Sequence, residues 1–297
     1  MMRYYYFPGC SMAATAKGYQ QSIDAVTRKI GMELVTIPDW NCCGATAAHT
    51  MNEMMALALP ARNLARAEAD GGGMEIAVAC AACYSRMQYS RHAVLTDEKK
   101  REEIEEIIGM PCSGANPVVS FLEIFSRPEV MEAVRSKLVK NLNGLKVACY
   151  YGCLTSRPSQ IARPDDPENP MQMDGIVSLT GAVPVPWDFK TECCGASHQV
   201  DAPKAALPLI QRILNNAREH GADCIVTACP LCALNLDMRQ SKVMEEYGGD
   251  YALPVYQFTE LLALCMGVHP RDFGLHTHFT PAVGLMRNAL KKDGDEQ

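Results

Sequence analysis

A chain of 297 residues, 48% hydrophobic and 21% charged, has the make-up of a globular protein that can bury a core, as one large α/β domain or two of about 150 residues. Its net charge of −6 speaks against nucleic acid as a partner, because phosphate binding draws on clustered Lys and Arg. Residues 1–10 carry no secretory pattern, and the longest apolar run, residues 261–268, falls well short of the roughly 18 residues a membrane span needs, so the chain reads as soluble and cytoplasmic.

In chain order, a β run at 4–7 ends in Gly9-Cys10. A helix is expected over 13–30, then an apolar run at 34–37 that leads to Cys42-Cys43-Gly44. A helix over 53–69, with apolar residues at helical spacing, comes next. Gly71-Gly72-Gly73 reads as a turn rather than a phosphate loop, since a strand and not a helix follows it. The run at 76–79 ends at Cys80-Ala81-Ala82-Cys83, and this CxxC opens another helix. Residues 96–106 (TDEKKREEIEE) read as an exposed helix.

The same order then returns. A β run at 147–151 ends in Gly152-Cys153, an apolar run at 183–185 precedes Cys193-Cys194-Gly195, and a helix is expected over 204–220. A run at 225–228 ends at Cys229-Pro230-Leu231-Cys232, where proline suits a first helical turn. The tail 291–297 is expected to be disordered.

Fourteen cysteines in a chain without secretory signals point to metal or redox chemistry rather than disulfides. Ten of them form the two parallel series, with 31 and 39 residues between the lone cysteine and the pair and 35 and 33 between the glycine and the CxxC. Leu59-Pro60 and Leu207-Pro208 also correspond, so the chain reads as an internal duplication with a first domain at 1–143 and a second at 144–290. Strand–helix alternation implies right-handed crossovers and a mainly parallel sheet flanked by helices in each half. Every cysteine group then follows the carboxyl end of a strand, the edge where open α/β folds place ligands.

Soft thiolates select zinc, copper(I) or iron–sulfur clusters, and one zinc ion is satisfied by four ligands. Five cysteines in each half exceed that number, and two adjacent ones are better suited to different irons of a multinuclear cluster. Gly44 and Gly195 would let the backbone turn tightly or bring N–H donors to inorganic sulfide. Zinc in one of the two sites stays open, as do core packing of single cysteines and a thioredoxin-type use of the CxxC. Cys149, Cys224 and Cys265 read as core residues, and Cys112 as a loop cysteine without an assigned role. His198 could meet substrate or donate a proton. Lys17, Arg86, Arg157 and Lys204 are candidates for anionic substrate ends, each also readable as part of a solvated helix face.

The doubled CCG pattern, with no ferredoxin-type cysteine run, resembles the B subunit of heterodisulfide reductase, a family of doubled cysteine-rich (CCG) domains. Tyr151-Gly152-Cys153 with Arg157-Pro158 and Asp166-Pro167-Glu168-Asn169-Pro170 agree with it, as do 222–232 and the ending 254–267. The resemblance implies an oxidoreductase with two non-cubane [4Fe–4S] clusters, held by Cys10, Cys42, Cys43, Cys80 and Cys83 and by Cys153, Cys193, Cys194, Cys229 and Cys232. It implies reduction of the coenzyme M–coenzyme B disulfide between the clusters, in the electron-bifurcating chemistry of methanogenesis. Its partners would be a ferredoxin-like C subunit and a flavin- and iron–sulfur-containing A subunit, with a hydrogenase or formate dehydrogenase module as a further addition. The alternatives are a different disulfide in a host without coenzyme M, or an electron-transfer subunit of another redox complex.

Overall fold

Strand β1 (Met2–Phe7) alternates Tyr4 and Tyr6 on one face with Tyr5 and Phe7 on the other, and all four are buried. A strand buried on both faces belongs inside a sheet covered by helices on each side, as parallel sheets require. The computed structural model, which describes residues 2–45, 48–198 and 202–291, has this architecture twice. The first sheet contains β1, β2 (Met32–Thr36), β3 (Ile76–Val78) and β4 (Val118–Ser120) in the order β2-β1-β3-β4. The second contains β5 (Lys146–Tyr150), β6 (Val183–Pro184), β7 (Cys224–Thr227) and β8 (Val255–Gln257) in the equivalent order β6-β5-β7-β8. All pairings are parallel, which bears out the expected α/β duplication.

The long helices fall where the pattern puts them, at Glu53–Ala69 and Pro203–Glu219. Asn52 starts the first by accepting the N–H of Met55 at 3.0 Å, a standard N-cap. The helix Lys17–Ile30 buries Tyr19, Ile23, Val26 and Ile30 along one face and stops at Gly31 in the left-handed region.

Two expectations need correction. The segment 13–30 is not one helix, because Ala14 leaves helical dihedrals (φ −124°, ψ −87°) and separates Gly9–Ala13 from Lys17–Ile30. Residues 96–106 span a helix boundary: Thr96 closes Ala81–Thr96, and the Asp97 side chain caps Glu98–Ile108 by accepting the N–H of Lys100. Ile104 anchors that second helix by its full burial. Gly71, Gly72 and Gly73 all have positive φ, as a turn demands. Lys291, expected in the disordered tail, is instead the last residue of the helix Val283–Lys291, and 292–297 lie outside the described residues.

The halves are docked by packing and by hydrogen bonds. Phe125 meets Phe258 edge-on at 5.4 Å between ring centroids. Ser22 and Thr259 share a hydroxyl–hydroxyl bond at 2.6 Å, and Tyr84 donates to the Ala162 carbonyl at 2.8 Å. Buried polar groups thus find partners across the boundary, which fixes the halves in one arrangement.

Candidate metal centre

Parallel strands deliver the cysteines to one edge in each half. The helix Gly9–Ala13 carries Cys10 directly after β1, while Cys153 follows β5. Cys80 and Cys229 stand at the N-caps of the helices Ala81–Thr96 and Pro230–Met238, so Cys83 and Cys232 lie one turn inside. Pro230 occupies the first turn, where its missing N–H costs no bond.

The thiols meet in corresponding pairs. Cys43 Sγ lies 3.2 Å from Cys83 Sγ, and Cys194 Sγ lies 3.4 Å from Cys232 Sγ. Cys10 and Cys42 are 3.7 Å apart, and Cys153 and Cys193, the corresponding pair, are near enough to shift each other's ionisation. Cys80 and Cys229 stand close enough across the boundary between the halves for each thiol to shift the ionisation of the other, so the two sites adjoin. Among the described residues, no three Cys, His, Asp or Glu side chains stand together as the ready ligand set of a metal ion.

The electrostatics repeat as well. Within the outer pairs, the thiol contact to Cys10 lowers Cys42 while Cys42 raises Cys10, and the contact to Cys153 brings Cys193 down to about 6. Gly44 and Gly195 donate their N–H groups to Cys42 and Cys193 at 3.5 and 3.3 Å, and the charge of His198 also favours the Cys193 thiolate. Each outer pair therefore holds one sulfur that ionises readily, the form that binds metal. Cys10, Cys42 and Cys193 are exposed, whereas Cys43, Cys80, Cys83, Cys194, Cys229 and Cys232 are buried.

Glycine acts in two ways around these sulfurs. Gly44 and Gly195, both at φ +73°, pack onto the following helix, where an added Cβ would meet Leu59 Cδ1 at 2.8 Å and Ala206 Cβ at 3.0 Å. Gly9 and Gly152 press against the thiols themselves: an added Cβ would lie 3.0 Å from Cys83 Sγ and 3.3 Å from Cys232 Sγ. Backbone cradles of this kind, ten soft donors and a readily ionised thiol in each outer pair suit polynuclear iron–sulfur groups.

Further residues shape the site without a signal in the cysteine pattern. Asn63, fully buried, clamps the loop before Cys42 by accepting the Asn41 N–H and donating to its carbonyl, at 2.9 and 3.0 Å. Asn235 donates to the Cys194 carbonyl at 2.6 Å. The Lys190 carbonyl accepts the N–H groups of Tyr151 and Gly152, at 2.9 and 3.0 Å, while its buried ammonium meets Asp174 at 2.9 Å. Tyr151 donates to the same carboxylate at 2.7 Å, so a buried charge pair holds the backbone just before Cys153.

The other candidates separate by exposure. His198, in the short 3-10 helix Ala196–His198, is exposed near Cys193. Lys17 and Lys204 are exposed on helix starts, Arg157 is engaged by Glu168 and Thr191, and Arg86 lies over the Tyr89 ring at 5.3 Å. Cys149, Cys224 and Cys265 are fully buried core residues as expected. Cys112 joins them: it is buried with its thiol toward the Ala61 carbonyl, and burial pushes its pKa up to about 12.

Two parallel sheets, each carrying a lone cysteine, a CysCysGly turn and a helix-opening CxxC at its carboxyl edge, define a doubled cysteine-rich α/β protein. The chain belongs to the CCG cysteine-rich domain family, whose model matches residues 4–88 and again 147–237. It is 30% identical over 283 residues to the 8-methylmenaquinol:fumarate reductase membrane anchor subunit of Wolinella succinogenes, covering 94% of this chain and 98% of that one. It is also 30% identical over 275 residues to the B subunit of the ferredoxin/F(420)H(2)-dependent CoB-CoM heterodisulfide reductase of Methanosarcina acetivorans, covering 91% of each. A protein of Archaeoglobus profundus that is itself described as like the heterodisulfide reductase B subunit is 27% identical over 279 residues, 91% of this chain and 92% of that one. The resemblance read from the cysteine pattern is thereby borne out. A solved structure of a hypothetical protein from Helicobacter pylori shares the fold, with a TM-score of 0.71, 13% identity and 94% of this chain covered; the chain spans 52% of that one. Among the described residues, no helix is long and apolar enough to cross a membrane.

Proposed function

We propose that the chain is the iron–sulfur subunit of a heterodisulfide-reductase-type complex, in which a disulfide is reduced where the two cysteine sites meet. The observation that carries this reading is the proximity of Cys80 to Cys229, close enough for each to shift the other's ionisation, which brings two otherwise equivalent five-cysteine sets together. Cys10, Cys42, Cys43, Cys80 and Cys83 would hold one non-cubane [4Fe–4S] cluster, and Cys153, Cys193, Cys194, Cys229 and Cys232 the other. When bound, such clusters supply electrons singly, so a pair at one junction matches a two-electron reaction.

The chain's own residues bind and orient. Cys42 and Cys193 offer readily ionised sulfurs at the exposed side, the N–H groups of Gly44 and Gly195 stabilise them, and burial of Cys80 and Cys229 keeps water from the junction. The disulfide takes up two electrons and two protons, its S–S bond breaks and two thiols leave. The electrons come from a ferredoxin-like iron–sulfur subunit supplied by a flavoprotein subunit, and the disulfide of coenzyme M and coenzyme B is the substrate the methanogen relatives favour. Similarity to a fumarate reductase subunit supports a second reading, in which the chain passes electrons within another redox complex or serves a different disulfide.

Turnover separates the two. Iron-loaded protein with reduced viologen as donor is expected to convert the coenzyme M–coenzyme B disulfide into two thiols for every two viologens oxidised. Protein that exchanges electrons with viologen but leaves this disulfide intact would support the second reading.

A further inference from the structure

A cavity of about 100 Å³ lies on the boundary between the halves and runs from Pro230, beside Cys229, to His278. At its outer end the His278 imidazole, 15% exposed, sits with Nε2 3.1 Å from Glu260 Oε1 and Nδ1 2.9 Å from the Val255 carbonyl. Glu260, only 2% exposed, also accepts the Gln257 N–H at 2.8 Å. The other groups facing the imidazole are Asp237, whose carboxylate takes the N–H groups of Phe279 and Thr280, and Tyr256, whose ring lies 5.8 Å away. Burial disfavours the imidazolium, but Glu260 outweighs it and moves the pKa up to about 9, so the ring is a cation at neutral pH.

At the inner end, the buried Tyr19 hydroxyl donates to the carbonyl of Ala228, next to Cys229, at 3.4 Å. Tyr19 stands within electrostatic reach of Cys229, Cys80 and Glu260, and its burial keeps it neutral. Gln257, also on the cavity wall, buries its side-chain amide there. A space of this volume, lined by the polar side chains of Tyr19, Gln257, Glu260 and His278, has the room and the partners that ordered water needs.

We propose that His278, Glu260, Gln257 and Tyr19, joined by water in the cavity, form a proton-delivery line that ends at the Cys80–Cys229 junction. This rests on the functional reading above, in which each disulfide needs two protons beside the two electrons from the donor subunits. His278 takes protons from solvent, Glu260 balances its charge, and Tyr19 gives up one proton while accepting another, so that it gains no net charge. None of these side chains is among the ten cysteines, and they have no other part in the chemistry.

The test compares iron-loaded wild type, Tyr19→Phe and His278→Gln as full chains, with reduced viologen and the coenzyme M–coenzyme B disulfide, in H2O and D2O across the pH range. Turnover by the wild type is expected to be flat at low pH and to fall as pH rises through the His278 pKa of about 9, with a solvent isotope effect. Both variants should keep wild-type iron content and lose about 10- to 100-fold in rate, and the alkaline limb should vanish in His278→Gln. NMR titration of the histidines is expected to find His278 shifted up in wild type and in Tyr19→Phe. Wild-type rates and an unchanged alkaline limb in both variants would overturn the relay and leave the functional reading standing, and so would a His278 that titrates as an ordinary imidazole. A loaded wild type that cleaves no disulfide would instead overturn that reading, and the relay with it.

Discussion

Replacing Cys194 by serine is expected to leave a folded protein with about half its iron and no disulfide reduction. The thiol is buried against Cys232 at 3.4 Å and its own carbonyl is held by Asn235, so serine fits the space but loses the soft donor. Cys43→Ser should do the same to the first site, because Cys43 meets Cys83 in the equivalent way. Cys224→Ser is the control: Cys224 is equally buried at the start of β7 but touches neither set, so its iron content should match wild type. Full iron in Cys194→Ser would remove that residue from the ligand set, and loss of all iron would mean that the sites cannot be filled separately.

Lys190→Met is expected to lower stability by about 3–5 kcal/mol, the cost of leaving one buried charge without its partner. The side chains of Lys190 and Asp174 are 5% and 6% exposed and stand 2.9 Å apart, so water cannot replace the lost ammonium. The damage should be local too, since the Lys190 backbone holds Tyr151 and Gly152 just before Cys153. Urea unfolding measures the loss, and iron analysis should show the second site weakened more than the first. Removing both charges, as in Lys190→Met with Asp174→Leu, should recover most of the stability, since apolar groups of similar volume can replace a buried ion pair. A single variant within about 0.5 kcal/mol of wild type would mean that Asp174 stays neutral or finds another partner.

The duplication was legible because cysteine and glycine positions are fixed by chemistry and backbone conformation, and both leave a spacing that survives in the sequence. The long helices were legible from their apolar faces. The strands β4 and β8 were not, since three residues each, buried or partly buried, give no alternation to read. Nor was the break at Ala14 or the cap at Asp97, where a single residue decides the boundary. The meeting of Cys80 with Cys229 was out of reach for a different reason. It depends on how the halves dock, through Phe125 on Phe258 and Ser22 on Thr259, and no local period encodes that. Lys190 and Asn235 were missed because a buried polar residue looks like a surface one until its partners are known. Gly9 and Gly152 stood beside the lone cysteines in the sequence, but their contact with Cys83 and Cys232 emerges only when the CxxC helix is in place.

Metal and sulfide analysis of anaerobically purified protein tests the central claim most directly. Two clusters held by the ten cysteines require about eight irons and a matching amount of acid-labile sulfide per chain. Zinc without iron, in protein never exposed to air, would contradict the account and leave the paired cysteine sites as a structural scaffold.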